Sequence, residues 1–291
     1  MTCEDVKAWF VHLRLGFQLL LSPVFLWGAM VAGGRIDLTL MIGFVSFHLF
    51  GYAGGTALNS YYDRDVGPVG GMEHPPPIPR GLLPFSILWQ AVGFAIALAV
   101  NIPFAVIYAT MFWMSLLYSH PRSRFKGKPG LALLTVALGQ GLLAYLGGWT
   151  CVHGEFISAF EMPGLLGAAA STGLTVGLYP LTEIYQLDED RRRGDRTVAL
   201  WLGPARSFNF AQTFLGLGGL AAIALVLTRY GAQEAVLLAV FLAGVILFVW
   251  RWSARFAFSD IASNFRTLMR LYTVTCLGFA FWIALHLLGV L

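Results

Sequence analysis

Two acidic stretches and one basic loop hold most of the side chains able to do chemistry in this 291-residue chain. The first stretch is Asn59-Ser60-Tyr61-Tyr62-Asp63-Arg64-Asp65. Asn59 and Asp63 stand one helical turn apart and share a face. The second runs from Glu183 to Thr197, with Glu183, Gln186 and Asp190 on one helical face. Each stretch can aim a column of oxygens at one point. Opposed across a hollow, the carboxylates would repel unless cations stood between them. Magnesium suits such a place, because it takes oxygen ligands, often a few carboxylates together with substrate phosphates. The third feature is the loop Tyr118–Lys128, with Arg122, Arg124, Lys126 and Lys128 close together. By charge alone it reads equally as a membrane anchor or as a grip on the phosphates of a diphosphate leaving group.

The elements that must position these groups are membrane spans. Hydrophobic residues make up 57% of the chain and charged residues 12%, against roughly 25% charged in soluble domains. That excludes an ordinary cytosolic enzyme, a disordered chain and a disulfide scaffold. Cys3, Cys151 and Cys276 are far apart and match no metal spacing. A span needs ~20 mostly apolar residues. Nine windows qualify, at 8–32, 38–60, 82–101, 103–119, 129–150, 163–185, 206–228, 232–250 and 267–290. The expected fold is therefore all-α, a polytopic bundle of nine transmembrane helices in one domain over 1–291. The 8–32 window, broken by His12 and Arg14 and without a clear small-residue cleavage site, reads as a first span and not as a signal peptide.

Of the 19 lysines and arginines, all but Arg35 and Arg229 fall in the segments on the N-terminal side of these spans. This bias puts the N-terminus in the cytoplasm and the C-terminus outside, in a cell (inner) membrane. It also accounts for the basic pI without nucleic acid as a partner. Eleven of the 15 acids lie on the same side, although the bias rule places cations and says little about acids. Acids at the lip of a span are costly and mark function. A weak internal repeat, near 127 residues from Asp63 to Asp190, would bring the acidic stretches to one cavity from opposite sides. His12, His48 and His286 lie inside spans with no second ligand at helical spacing, and read as packed or interhelical hydrogen-bonding residues.

Three motifs in order at these span ends resemble the UbiA-type family of intramembrane prenyltransferases. The likeness covers almost the whole chain: acidic motifs after spans two and six, and Tyr118, Ser119, Pro121, Arg124 and Lys126 after span four. That last segment is most similar to the chlorophyll-synthase branch. Gly194-Asp195-Arg196-Thr197, followed by Leu202-Gly203, is also typical of the family. The resemblance implies a helical bundle around a central cavity open to the membrane, and magnesium held by the two acidic motifs. It implies an isoprenyl diphosphate donor bound through that magnesium, and a lipophilic acceptor that attacks as diphosphate departs. Asn59, Asp63 and Asp190 match its metal positions, and Arg64, Tyr118, Arg124 and Lys126 match positions near the diphosphate. Asp63 and Asp190 are thus the expected catalytic pair.

The chain departs from the family pattern at Gly67, Gln186 and Pro76, where charged residues are usual. Asp65 could replace the first only if the helix unwinds near Gly67-Pro68, and Glu183, one turn before Gln186, could replace the second. Arg191 to Arg193 read as topology anchors, with Arg193 assigned to phosphate. The expected metal set is therefore Asn59, Asp63, Asp65, Glu183, Gln186 and Asp190. Two other readings stay open: a terpene cyclase on the same fold, and a transporter or lipid-binding protein using the same acids. The transporter fits less well, because both acidic stretches sit at one membrane face and coupling acids are more often near the midplane.

Overall fold

The computed structural model describes residues 3–291. Among the described residues regular structure is helical, apart from an isolated bridge between Val69 and Met72. Eight helices are long and apolar enough to cross a bilayer, and a bent pair, Glu4–Leu20 with Ser22–Val31, brings the number to nine. The chain is a multi-span membrane protein. Its helices are α1 (Cys3–His12), α2 (Leu15–Leu20), α3 (Ser22–Val31), α4 (Leu38–Asp63), α5 (Leu82–Val100), α6 (Ile102–Ser119), α7 (Pro129–His153), α8 (Met162–Glu183), α9 (Leu187–Arg193), α10 (Val198–Leu202), α11 (Pro204–Arg229), α12 (Ala232–Arg255) and α13 (Ile261–Leu287).

The first span differs from the single helix expected over 8–32. Its two arms meet at 44°, and the chain also breaks before α2, at Arg14. Arg14 takes left-handed backbone, φ 51°, which interrupts the run of helical hydrogen bonds. Its guanidinium is thereby turned inward, where it donates to Ser60 Oγ at 2.7 Å and to the Gly70 carbonyl at 3.3 Å. Pro23 sits in the first turn of α3, where a missing N–H is harmless. The last helix also starts earlier than its apolar window, because the Asp260 carboxylate caps it by accepting the Ser263 N–H.

Close packing rests on small residues, as expected where lipid gives helices little hydrophobic reason to associate. A Cβ on Gly28 of α3 would overlap the Tyr145 carbonyl oxygen of α7, and one on Gly148 would overlap that of Phe25. Gly173 of α8 lies against Gly218 of α11 in the same manner. Large apolar side chains such as Leu38, Leu88, Trp113, Val240 and Phe281 are exposed, and form the lipid-facing exterior.

Two helices are locally widened. Val45–Tyr52 of α4 and Ala137–Leu143 of α7 are wound as π-helix, a geometry often found at functional sites. Gly51, Tyr52, Gly139 and Gln140 from these segments border the central hollow.

Candidate active site

The hollow is a cavity of about 270 Å³ lined from seven of the nine spans, all but α11 and α12. Asn59, Asp63 and Asp65 reach it from the end of α4, and Glu183, Gln186 and Asp190 from the end of α8 and from α9. Tyr118 and Lys126 complete the polar end. A second recess of about 100 Å³ continues from it, lined mostly by apolar side chains including Leu174, Leu178 and Phe279. The two spaces share Leu21, Tyr52, Gln140, Thr175 and Tyr272.

Local chain geometry explains how each group arrives. Helix α4 stops at Asp63 because Arg64 turns left-handed, φ 53°. The unwinding comes three residues before Gly67, and it swings Asp65 back to the cavity instead of leaving it on the opposite helix face. Arg64 itself is exposed and is not part of the cavity lining. The basic loop folds by the same device, with Arg124 at φ 40° and Phe125–Gly127 in a tight 3-10 turn that buries Lys126.

Lys126 Nζ pairs with Asp63 Oδ2. Arg124 forks onto Asp195, with Nε to Oδ1 at 2.5 Å and Nη2 to Oδ2 at 2.6 Å, and reaches Asp63 at 3.5 Å. Arg193 joins Asp65 to Glu189. Glu189 also accepts the Val66 and Gly67 N–H groups. Gln186 Nε2 donates to the Pro68 carbonyl at 2.9 Å, so Gln186, Glu189 and Arg193 together hold the proline-rich 64–81 loop at three places. Asn59 Nδ2 donates to Ser119 Oγ at 3.2 Å, which leaves its amide oxygen as the group available to a cation.

Asp190 is buried and accepts from Thr197 Oγ1 at 3.3 Å. Burial pushes its carboxyl up to about 7, against the pull of Lys126 and Arg193. Hydrogen bonding to Asp195 raises the Arg124 guanidinium above its ordinary value. Glu183 also lines the cavity, and its Oε2 accepts the Ala199 N–H at 3.0 Å, tying α8 to α10.

Among the described residues, no group of three or more His, Cys, Asp or Glu side chains stands together as a metal cluster. The acids are drawn instead to Lys126, Arg124 and Arg193. The donors around the hollow still fit magnesium in kind: two carboxylates, Asp63 and Asp190, and the Asn59 amide oxygen are all hard oxygen ligands on one cavity.

Several cavity residues were not singled out from the sequence. Arg14 lines it, and counted only as a cytoplasmic charge. Gln18 is fully buried, with its Oε1 unpartnered. Outside the lining, Asp195 of the family-like Gly194–Thr197 segment anchors Arg124 after Gly194 turns the chain, φ 77°. Tyr179 lies 2.9 Å from Tyr118, hydroxyl to hydroxyl. The available signal for Arg14 was a cation that breaks an apolar window. For Tyr179 it was the i, i+4 spacing to Glu183. His48, by contrast, is packed among the rings of Phe25, Phe44, Phe47 and Tyr52.

Fold and site together define a polytopic helical membrane protein with an acid- and base-lined chamber at one end of its bundle. The chain belongs to the UbiA prenyltransferase family, which residues 20–288 match. It is 27% identical over 263 residues to a digeranylgeranylglyceryl phosphate synthase of Natronomonas pharaonis, covering 88% of this chain and 90% of that protein. It is 29% identical over 173 residues to a protoheme IX farnesyltransferase of Archaeoglobus fulgidus, covering 57% of this chain and 58% of that one. A solved UbiA homologue from Archaeoglobus fulgidus, bound to DMAPP and Mg2+, superposes with a TM-score of 0.68 at 18% identity, over 95% of this chain and 98% of that one. Neither named relative is a chlorophyll synthase, so the likeness of Tyr118–Lys126 to that branch stays local.

Proposed function

We propose that the protein is a magnesium-dependent prenyltransferase that moves an isoprenyl group from its diphosphate to a lipophilic acceptor. One observation carries this reading: both acidic helix ends and the basic turn line a single cavity that continues into an apolar recess. The recess suits a prenyl tail and the charged end suits a diphosphate. Asp63, Asp190 and the Asn59 amide oxygen are the groups to hold magnesium, with Gln186 and Asp65 beside them. When bound, the ion neutralises diphosphate charge and favours its departure. Lys126, released from Asp63 by that competition, would hold the diphosphate oxygens from the cavity wall, with Arg124 behind it, outside the lining and forked onto Asp195. Arg193 keeps Asp65 and the 64–81 loop in position. The aromatic wall of Tyr52, Tyr118 and Phe112 suits the cationic character that develops on the allylic carbon.

A glyceryl phosphate lipid with a free hydroxyl is the first acceptor to test, because the Natronomonas relative is named for such a product. By the lysine and arginine bias, the chamber faces the cytoplasm of a cell (inner) membrane.

The test is diphosphate release by purified protein supplied with dimethylallyl, geranyl or geranylgeranyl diphosphate, magnesium and an acceptor panel. Release that disappears with chelator and in Asp63→Asn or Asp190→Asn supports the reading. Release that persists without divalent ions, or is absent with every donor, overturns it. Product analysis separates transfer from cyclisation.

A further inference from the structure

The charged chamber and the apolar recess meet at a ring of side chains: Leu21, Tyr52, Gln140, Thr175 and Tyr272 border both spaces. All but Leu21 are polar, although each stands well inside a span, Tyr52 in α4, Gln140 in α7, Thr175 in α8 and Tyr272 in α13. Thr175 spends its hydroxyl on the Ser171 carbonyl at 2.7 Å. The side chains of Tyr52, Gln140 and Tyr272 make no hydrogen bond among the described residues, and Tyr272 is only 9% exposed. Thr275, one turn further along α13, adds a buried, unpartnered hydroxyl to the recess. Polar groups withdrawn from water without a partner are costly, and native structures keep few of them without a reason. Tyr52 and Gln140 are also delivered by the two π-wound stretches, at the end of the first and within the second.

We infer that Tyr52, Gln140 and Tyr272 form a collar that seats an uncharged, oxygen-bearing part of the acceptor headgroup. The inference rests on the prenyl-transfer reading above and adds where the acceptor binds and what its headgroup offers. The donor cannot satisfy the collar. Its tail is hydrocarbon, with nothing to give a hydroxyl or an amide. Its diphosphate belongs at the acids, and Tyr52 stands three helical turns before Asp63 on α4, about 16 Å along the axis at 1.5 Å per residue. Charge points the same way. Arg14 and Lys126, the cations of the chamber lining, do not border the recess, so the collar has nothing to neutralise an anion. Two phenol hydroxyls and an amide can each donate and accept, which matches a hydroxyl, ether or carbonyl oxygen. A glyceryl lipid and a substituted phenol both carry such oxygens. Any phosphate on the acceptor is left to the chamber side, where Arg14 and Lys126 stand. A headgroup at the collar lies alongside the donor where its chain passes from the diphosphate to the recess.

The test compares acceptors that differ by one non-reacting oxygen. Wild type, Tyr52→Phe, Gln140→Leu, Tyr272→Phe and the triple variant are assayed with geranylgeranyl diphosphate and magnesium. One arm uses geranylgeranylglyceryl phosphate and the other a dihydroxybenzene, each paired with an analogue in which carbon replaces one non-reacting oxygen. The wild type is expected to favour the oxygenated member of a pair by about tenfold in kcat/KM, and the arm in which it does so identifies the source of the oxygen. Each single variant is expected to raise KM for that acceptor by roughly three- to tenfold and to shrink the preference, and the triple variant to erase it. Donor KM is expected to stay within about twofold. Phenylalanine keeps each ring, and lost packing alone would weaken both members of a pair equally. A preference missing from the wild type in both arms, or intact in every variant, would overturn the collar and leave prenyl transfer standing. So would a raised donor KM with the acceptor preference intact, which would give the ring to the prenyl tail. The single variants carry the comparison if the triple variant does not fold. A wild-type protein inert toward every donor would overturn the prenyl-transfer reading and the collar together.

Discussion

Asp63 holds Lys126 and is reached by Arg124, so a divalent ion entering the chamber competes with two tethered cations for one carboxylate. Asp190, which forms no salt bridge among the described residues, has burial raising its carboxyl to about 7 from 3.8. The sign of the pH dependence follows. Without metal the Asp190 carboxyl keeps its proton up to about 7, and magnesium requires the carboxylate. Affinity for magnesium should therefore fall as pH falls through 7 and level off above it, with proton release on binding. Titration calorimetry in buffers of different ionisation enthalpy reads both. In the metal-free protein the raised value means that Asp190 favours folding less as pH climbs from about 4 to 7, and magnesium should restore that loss. Arg124→Lys tests the neighbouring fork. Lysine keeps the charge but cannot make both bonds to Asp195, and Asp195 is only 6% exposed. The expected loss is about 1–3 kcal/mol, read as a lower melting temperature in detergent.

At the scale of helices, the spans were legible because each is a long apolar run bounded by charge or proline. The turn between α5 and α6 was equally plain: the Asn101 side chain accepts the Phe104 N–H at 2.8 Å with Pro103 in the first turn. What could not be read was where helices break inward. The break at Arg14 turns its guanidinium onto partners distant in sequence, Ser60 and Gly70, which the local sequence does not name. Asp65 shows the consequence, since helical periodicity points it away from Asp63 until the chain leaves the helix. Glu183 was visible as an acid at a span end, but its engagement of Ala199 required α10 to fold back. The glycine contacts supply a test at this level. Gly28→Ala and Gly148→Ala each place a methyl group on a facing backbone carbonyl, which no side-chain rotation relieves. Each should destabilise the bundle by about 1–3 kcal/mol, whereas Gly216→Ala, with open space at its Cβ, should not lower the melting temperature.

For the whole molecule, the same charge asymmetry that orders the spans gathers the chemistry at one end. Side chains on the proposed cytoplasmic face, such as Ser123 and Arg191, and on the opposite face, such as Arg35 and Glu155, give the check. Cys151 and Cys276 are buried, so with Cys3 replaced by serine, single cysteines introduced at these four positions can be probed with a membrane-impermeant thiol reagent on intact cells. Labelling at 35 and 155 but not at 123 and 191 is expected, and the reverse pattern would invert the topology.

Arg14, Arg64 and Arg124 are the non-glycine residues at positive φ among those described, a conformation that costs a non-glycine residue roughly 1–2 kcal/mol. All three lie on the chain segments that shape the mouth of the chamber. Glycine would relax each of them, and Arg64→Gly, at an exposed position, should raise heat resistance. At Arg14 and Arg124 the same relief would remove a guanidinium from the chamber or from its anchor. Selection for durability and selection for turnover thus pull in opposite directions at these two codons, and a thermally hardened descendant of this protein would be expected to gain its tolerance elsewhere.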